Sequence, residues 1–120
     1  MTTANQAVLE ALKPLVKSCV WPMVRPSGQS GTPYIVYTPI STNPLVVIGG
    51  WAGHKQIRMQ IDVYADTLTE AEEISNDLIP VLEALTTISA EAVDGGTSSF
   101  EQDTRLFRQT TEFNVWEQTL

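Results

Sequence analysis

Two stretches of strict alternation constrain this chain more than anything else in it. Residues 56–65 place Ile57, Met59, Ile61 and Val63 on one side and Arg58, Gln60, Asp62 and Tyr64 on the other. Residues 106–116 place Phe107, Gln109, Thr111, Phe113 and Val115 on one side, and Leu106, Arg108, Thr110, Glu112, Asn114 and Trp116 on the other. A two-residue period is the repeat of a β-strand, whose successive side chains point to opposite faces of a sheet. Each strand has one mainly apolar face, and that face needs a cover.

Two segments have the helical spacing to supply it. Residues 5–18 carry Val8, Leu9, Leu12, Leu15 and Val16 on one stripe. Pro14 is expected to kink this helix or mark its last turn. A second helix starts at Asp66 and Thr67, with Thr67 and Glu70 spaced as a capping box. Glu70, Glu72 and Glu73 fall in its first turns, where the helix dipole favours anions. Ala71, Ile74, Leu78, Leu82 and Leu85 form its apolar stripe, and Pro80 is expected to bend it or split it near Asn76.

The rest is shorter. Residues 20–24 read as a strand at a sheet edge, because Pro22 lacks an N–H. Residues 25–33, with two prolines and two glycines, read as a loop. Residues 34–38 are β-branched and aromatic and read as a strand. Residues 42–54 form a long connection, either a wide hairpin loop or a short extra strand plus a turn. Residues 88–93 are a further short strand, Asp94-Gly95-Gly96 is a turn signal, and residues 97–103 are polar apart from Phe100. The expected fold is α+β: an antiparallel sheet of three to five strands with two helices packed on one face, in a single domain over residues 1–120.

Size sharpens this. A compact domain of 120 residues has a diameter of about 35 Å. The last strand alone would span about 36 Å, so it crosses the whole domain or protrudes from it. The sheet face without helices carries Tyr64, Leu106 and Trp116 among polar residues. That mixture suggests contact with another subunit.

Composition excludes several classes of function. Seven Lys and Arg against fourteen Asp and Glu give a net charge of −7, which argues against specific nucleic-acid binding through a basic stripe. No apolar run approaches the roughly 20 residues of a membrane span, so no membrane partner is expected. The first residues carry no basic and apolar leader. Cys19 is the one cysteine, so neither an intrachain disulfide nor a multi-cysteine zinc site can form.

Catalytic chemistry is hard to assemble. His54 is the one histidine, beside a Gly-rich segment, and it would need Asp62 or Cys19 brought within hydrogen-bond reach. Gly49-Gly50-Trp51-Ala52-Gly53 lacks the ending of a phosphate-binding loop. Its better reading is an interaction loop, with Trp51 as anchor and Leu45, Val46, Val47 and Ile48 as an apolar strip. Arg58 and Asp62 read as cross-strand or interface charges, and Glu70, Glu72, Glu73 and Asp77 as a solvated helix face. No catalytic residue, metal site or cofactor is expected. The candidate interface residues are Leu45, Val46, Val47, Ile48, Trp51, Arg58, Asp62, Tyr64, Arg108 and Trp116.

The ordered set Tyr34-Ile35-Val36-Tyr37, Ile57 to Ala65, Thr69-Glu70-Ala71 and Arg108 to Trp116 resembles the tail-terminator or tail-completion proteins of long-tailed bacteriophages and prophages, over roughly residues 4–118. The resemblance implies a non-enzymatic structural protein of the virion tail, made in the bacterial host cytoplasm. Such proteins form a homo-oligomeric ring, usually a hexamer, at the head-proximal end of the tail tube. The ring stops tube polymerisation and joins the head or neck. The implied partners are further copies of the chain, the tail tube protein and a head-completion or neck protein. The acidic balance is expected to repel DNA in the lumen. The alternatives are another neck or connector subunit and a small-molecule binding module built on the Trp51 loop.

Overall fold

The computed structural model describes residues 4–16, 19–23, 25, 31–47, 50–85, 88–93 and 96–118. In chain order these form α1 (Ala4–Leu12), a 3-10 turn (Lys13–Leu15), β1 (Val20–Pro22), β2 (Tyr34–Val47), β3 (Gly50–Ala65), α2 (Leu68–Glu83), β4 (Ser89–Ala92), β5 (Thr97–Glu101) and β6 (Leu106–Gln118). The sheet has six strands in the order β1-β2-β3-β6-β4, with β5 also on β6. This is the expected α+β fold with one strand more than foreseen.

The sheet is antiparallel except at β1, which runs parallel to β2 through Val20↔Ile35, Trp21↔Val36 and Pro22↔Tyr37. As its proline requires, β1 lies at an edge. Among the described residues the long connection at 42–54 is strand: β2 runs to Val47 and β3 starts at Gly50, with Val46↔Trp51 and Val47↔Gly50 as the last pairs. The hairpin strands are 14 and 16 residues long, and the molecule measures 52 × 26 × 24 Å. β6 follows β3 only as far as His54↔Gln118. The hairpin, more than the last strand, sets the long axis.

β4 and β5 both lie on the far side of β6, one after the other: Ser89↔Trp116 to Ala92↔Phe113, then Thr97↔Thr110 to Glu101↔Leu106. The polar segment at residues 97–103 therefore contains a strand that composition hides. Phe100 explains it, since its ring sits 5.0 Å from that of its cross-strand neighbour Phe107. Between β4 and β5, Gly96 has φ +101°, and a Cβ there would lie 2.7 Å from Gln109 Nε2. Only glycine fits this break.

The helices cover one face. Val8, Leu12 and Val16 join Ala71, Leu78 and Leu82 over Ile35, Tyr37, Ile57, Met59, Ile61, Val63, Phe113 and Val115, all buried. Pro14 ends the first helix early, turning it into the 3-10 segment. Thr67 caps α2, its Oγ1 accepting from the Glu70 N–H at 3.2 Å. Pro80 does not split α2, which runs on to Glu83. Asn76, whose carbonyl loses its usual donor, is exposed to water. The helix stripe also includes Ser75, which is buried and shares a 3.0 Å hydrogen bond with the Thr111 hydroxyl.

Candidate assembly surface

The opposite face of the same strands holds a second, smaller cluster. Tyr34, Val36 and Leu106 are buried there, with Trp21, Tyr64 and Cys19 packed against them. The register explains why they meet. Tyr34 pairs with Tyr64 and Val36 with Asp62 across β2 and β3, while Tyr64 pairs with Arg108 and Asp62 with Thr110 across β3 and β6. Tyr34 and Tyr64 stack with centroids 4.7 Å apart, and Trp21 meets Tyr34 edge-on at 6.1 Å. Arg25 closes one end of the stack, 3.9 Å from the Tyr34 centroid, and Arg108 lies 5.8 Å from the Tyr64 centroid at the other. Cations over ring faces are attracted by the aromatic quadrupole.

Asp62 sits under this stack, almost wholly buried. A buried carboxylate needs donors, and it has three. Arg108 Nε donates to Oδ1 at 3.0 Å, the Thr110 hydroxyl donates to the same oxygen, and Gln60 Nε2 donates to Oδ2 at 2.9 Å. Burial opposes the charge on Arg108, but the hydrogen bond and the charge of Asp62 outweigh it and hold the guanidinium above its usual range. Burial pushes the Tyr64 phenol up to about 12, with Arg108 pulling it down and Asp62 pushing it further up. Burial likewise raises Tyr34, partly offset by Arg25. These groups line an open pocket of about 370 Å³.

Farther along the same face the residues are half-exposed. Arg58 Nη2 donates to Glu112 Oε2 at 3.1 Å, and Trp116 lies beyond, opposite Gln56. The structure thus brings Arg58, Asp62, Tyr64, Arg108 and Trp116 onto one face, as the alternation implies. It does not leave them all equally open. Asp62 is buried, whereas Arg58, Tyr64, Arg108 and Trp116 are half-exposed, with Arg108 paired to Asp62 and Arg58 to Glu112 within the chain.

The other candidates stand apart. Leu45, Val46 and Val47 belong to β2, and Trp51 belongs to β3 opposite Val46. Ile48 lies outside the described residues. From Tyr64 to Trp51 is thirteen residues of β3, about 43 Å along the strand, so the predicted set divides between a sheet face and the end of a hairpin. Sequence reading missed Trp21, Arg25, Tyr34 and Glu101, the last of which lines the same pocket from the end of β5. The alternation of Tyr34 and Val36 within residues 34–38 was the available signal, but their partners depend on register.

The same distances remove the catalytic reading of His54 within one chain. His54 and Asp62 are eight residues apart on β3, about 26 Å. Cys19 sits at the far end, its carbonyl accepting from the Ile35 N–H at 2.9 Å. Among the described residues no three His, Cys, Asp or Glu gather to hold a metal, and no helix is long and apolar enough to cross a membrane.

Against known proteins, a family model described as "Tail completion protein gp17" matches residues 4–118. A chain of the solved structure "Virion of native gene transfer agent (GTA) particle" superposes with a TM-score of 0.71 at 17% identity, covering 96% of this chain and 94% of that one. At that identity the likeness speaks for the fold. No curated protein matches the chain.

Proposed function

We infer the function from one premise: the chain belongs to the tail completion protein gp17 family, whose model spans residues 4–118. It is accordingly a structural protein of the phage virion tail. Beyond that, we propose that copies of it form a ring, six in number, on the head-proximal end of the tail tube. The ring halts tube polymerisation and offers its other side to a head-completion or neck protein.

The observation that carries the ring is the unlikeness of the two surfaces. One surface is the end of a long hairpin, and the other is the open sheet face, where Arg58 and Trp116 are half-exposed. Contact between two unlike surfaces is heterologous, and heterologous contacts close into a ring where the rotation from one copy to the next divides a full turn. Charge fits the same reading. Residues 66–83 contain Asp66, Glu70, Glu72, Glu73, Asp77 and Glu83 and no Lys or Arg, and such a surface turned to the lumen would repel DNA. A basic lumen would remove that part.

Light scattering of the purified chain with negative-stain imaging tests the ring, and binding to isolated tube ends tests the cap. Rings that bind tube ends support the reading. A chain that stays monomeric at high concentration and ignores tube ends sinks it. Rings that bind neck assemblies but not tube ends assign it to the connector instead.

A further inference from the structure

The sheet ends in two unlike edges, and their heights along the strands match. On one side, β1 pairs with β2 only at residues 35–37. Beyond that point, among the described residues, the outer edge of β2 has no strand beside it. On the other side, the outermost strand is β4, which covers β6 only from Phe113 to Trp116.

The register converts these into a common level. Asn43 pairs with Gln56, Gln56 with Trp116, and Trp116 with Ser89. Pro39 pairs with Met59, Met59 with Phe113, and Phe113 with Ala92. The uncovered stretch of β2 at residues 39–43 is therefore level with β4. The level that β1 covers overlaps that of β5 at Ile35 and Val36, which are level with Ser98 and Thr97. Direction matches too. β2, β3, β6 and β4 alternate strand by strand, so β4 of a second copy placed beside β2 would meet it antiparallel, with no flip.

We propose that residues 39–43 of β2 pair with β4 of a second copy, so that the sheet continues from subunit to subunit. This rests on the ring reading above and adds a strand-edge contact beside the hairpin-to-face contact named there. An uncovered edge offers backbone N–H and C=O groups that another strand can satisfy. Residues 38–47 hold no charged side chain, so the edge lacks a charged guard, and Pro39 and Pro44, which have no N–H to donate, bound the stretch that is left to pair. Ile40 is the bulge, with no partner on β3, and is 49% exposed. It interrupts the ladder at one residue and leaves Ser41, Thr42 and Asn43 to pair. Joining edges at one level gives no offset along the strands from copy to copy, which is what a ring rather than a filament needs.

Ser41 and Glu91 test it. Both are exposed, and both are level with Arg58 and Asn114. Within one chain they are three strand gaps apart, about 14 Å, beyond the ~7 Å that a disulfide can bridge. Oxidation of the Ser41→Cys/Glu91→Cys variant is expected to give a covalent ladder on a non-reducing gel, ending at the ring number. Each single variant, which keeps Cys19 as the control, is expected to stay monomeric on the gel. If the double variant fails to fold, an equimolar mixture of the two single variants is expected to give crosslinked dimers only. Rings without any such crosslink overturn the edge pairing and leave the ring standing. Rings without the crosslink that lose tube-end binding in Ser41→Lys assign the edge to the tube protein instead. Absence of rings in the parent chain, free or on tube ends, overturns both readings.

Discussion

The two faces of the β3–β6 pair are made from alternate residues of the same strands, yet they are buried by different means. On the helix side, Met59, Ile61, Val63, Phe113 and Val115 are all fully buried, and the polar exceptions are the hydroxyl pair of Ser75 with Thr111 and Gln109, which accepts from Ser98. On the other side, burial is achieved with a carboxylate, three donors and a stack of rings between two arginines. The helix face draws its stability from apolar area, which is non-directional. The open face draws it from directional partners inside one chain. The second kind of burial leaves fewer groups available to a neighbouring subunit than a count of polar and aromatic residues suggests.

The largest expected effect tests the helix face. Phe113→Ala removes a fully buried ring between the sheet and α2 and should cost about 3–5 kcal/mol, transfer and cavity together. Urea unfolding measures it. Trp116→Ala, three residues along on the other face and only half-buried, should cost clearly less. Equal losses would mean that the two faces are not distinct in kind.

Next comes the buried carboxylate. Asp62→Ala leaves Arg108 and Gln60 without their acceptor. Breaking a buried pair costs about 3–5 kcal/mol, and because the Arg108 side chain is still 32% exposed water takes up part of the loss, for an expected cost of about 2 kcal/mol. The double variant Asp62→Leu/Arg108→Met should recover much of it, since apolar groups of similar volume can replace a buried ion pair. A double variant as unstable as Asp62→Ala would show that the stack depends on the charges and not on filled space.

The helix face was legible in the sequence because it rests on period alone. Ile57, Met59, Ile61 and Val63 face the core whatever lies beside them. The capping pair Thr67 and Glu70 was legible for the same local reason. The β5 strand was not, because Thr97, Ser98 and Ser99 have no apolar alternation, and what holds them is their pairing with β6. The hairpin was legible as an apolar strip but not as continuous strand, since Pro44 and Gly49-Gly50 carry the marks of a break. The site was half legible. Alternation put Asp62, Tyr64 and Arg108 together, but whether they meet solvent or one another is decided by Tyr34 and Arg25, which arrive from a distant part of the chain through register.

The smallest effect is one of pH and belongs to the open face alone. The Tyr64 phenol has its ordinary value of 10.0 in the unfolded chain and is held at about 12 in the folded one. Between those values the folded state keeps a proton that the unfolded state has released. Stability is then unaffected by this group below pH 10 and falls as pH rises toward 12. Tyr34 and Tyr37 are raised as well, chiefly by burial, so they slope in the same direction. Tyr64→Phe should therefore flatten the alkaline decline without removing it, with little change in stability at neutral pH. Unfolding midpoints at pH 7, 10 and 11.5 read this directly. An unchanged alkaline slope in Tyr64→Phe would mean that this phenol ionises in the folded chain as it does in water. The stack would then be wet, and the open face available to a neighbouring subunit over its whole length.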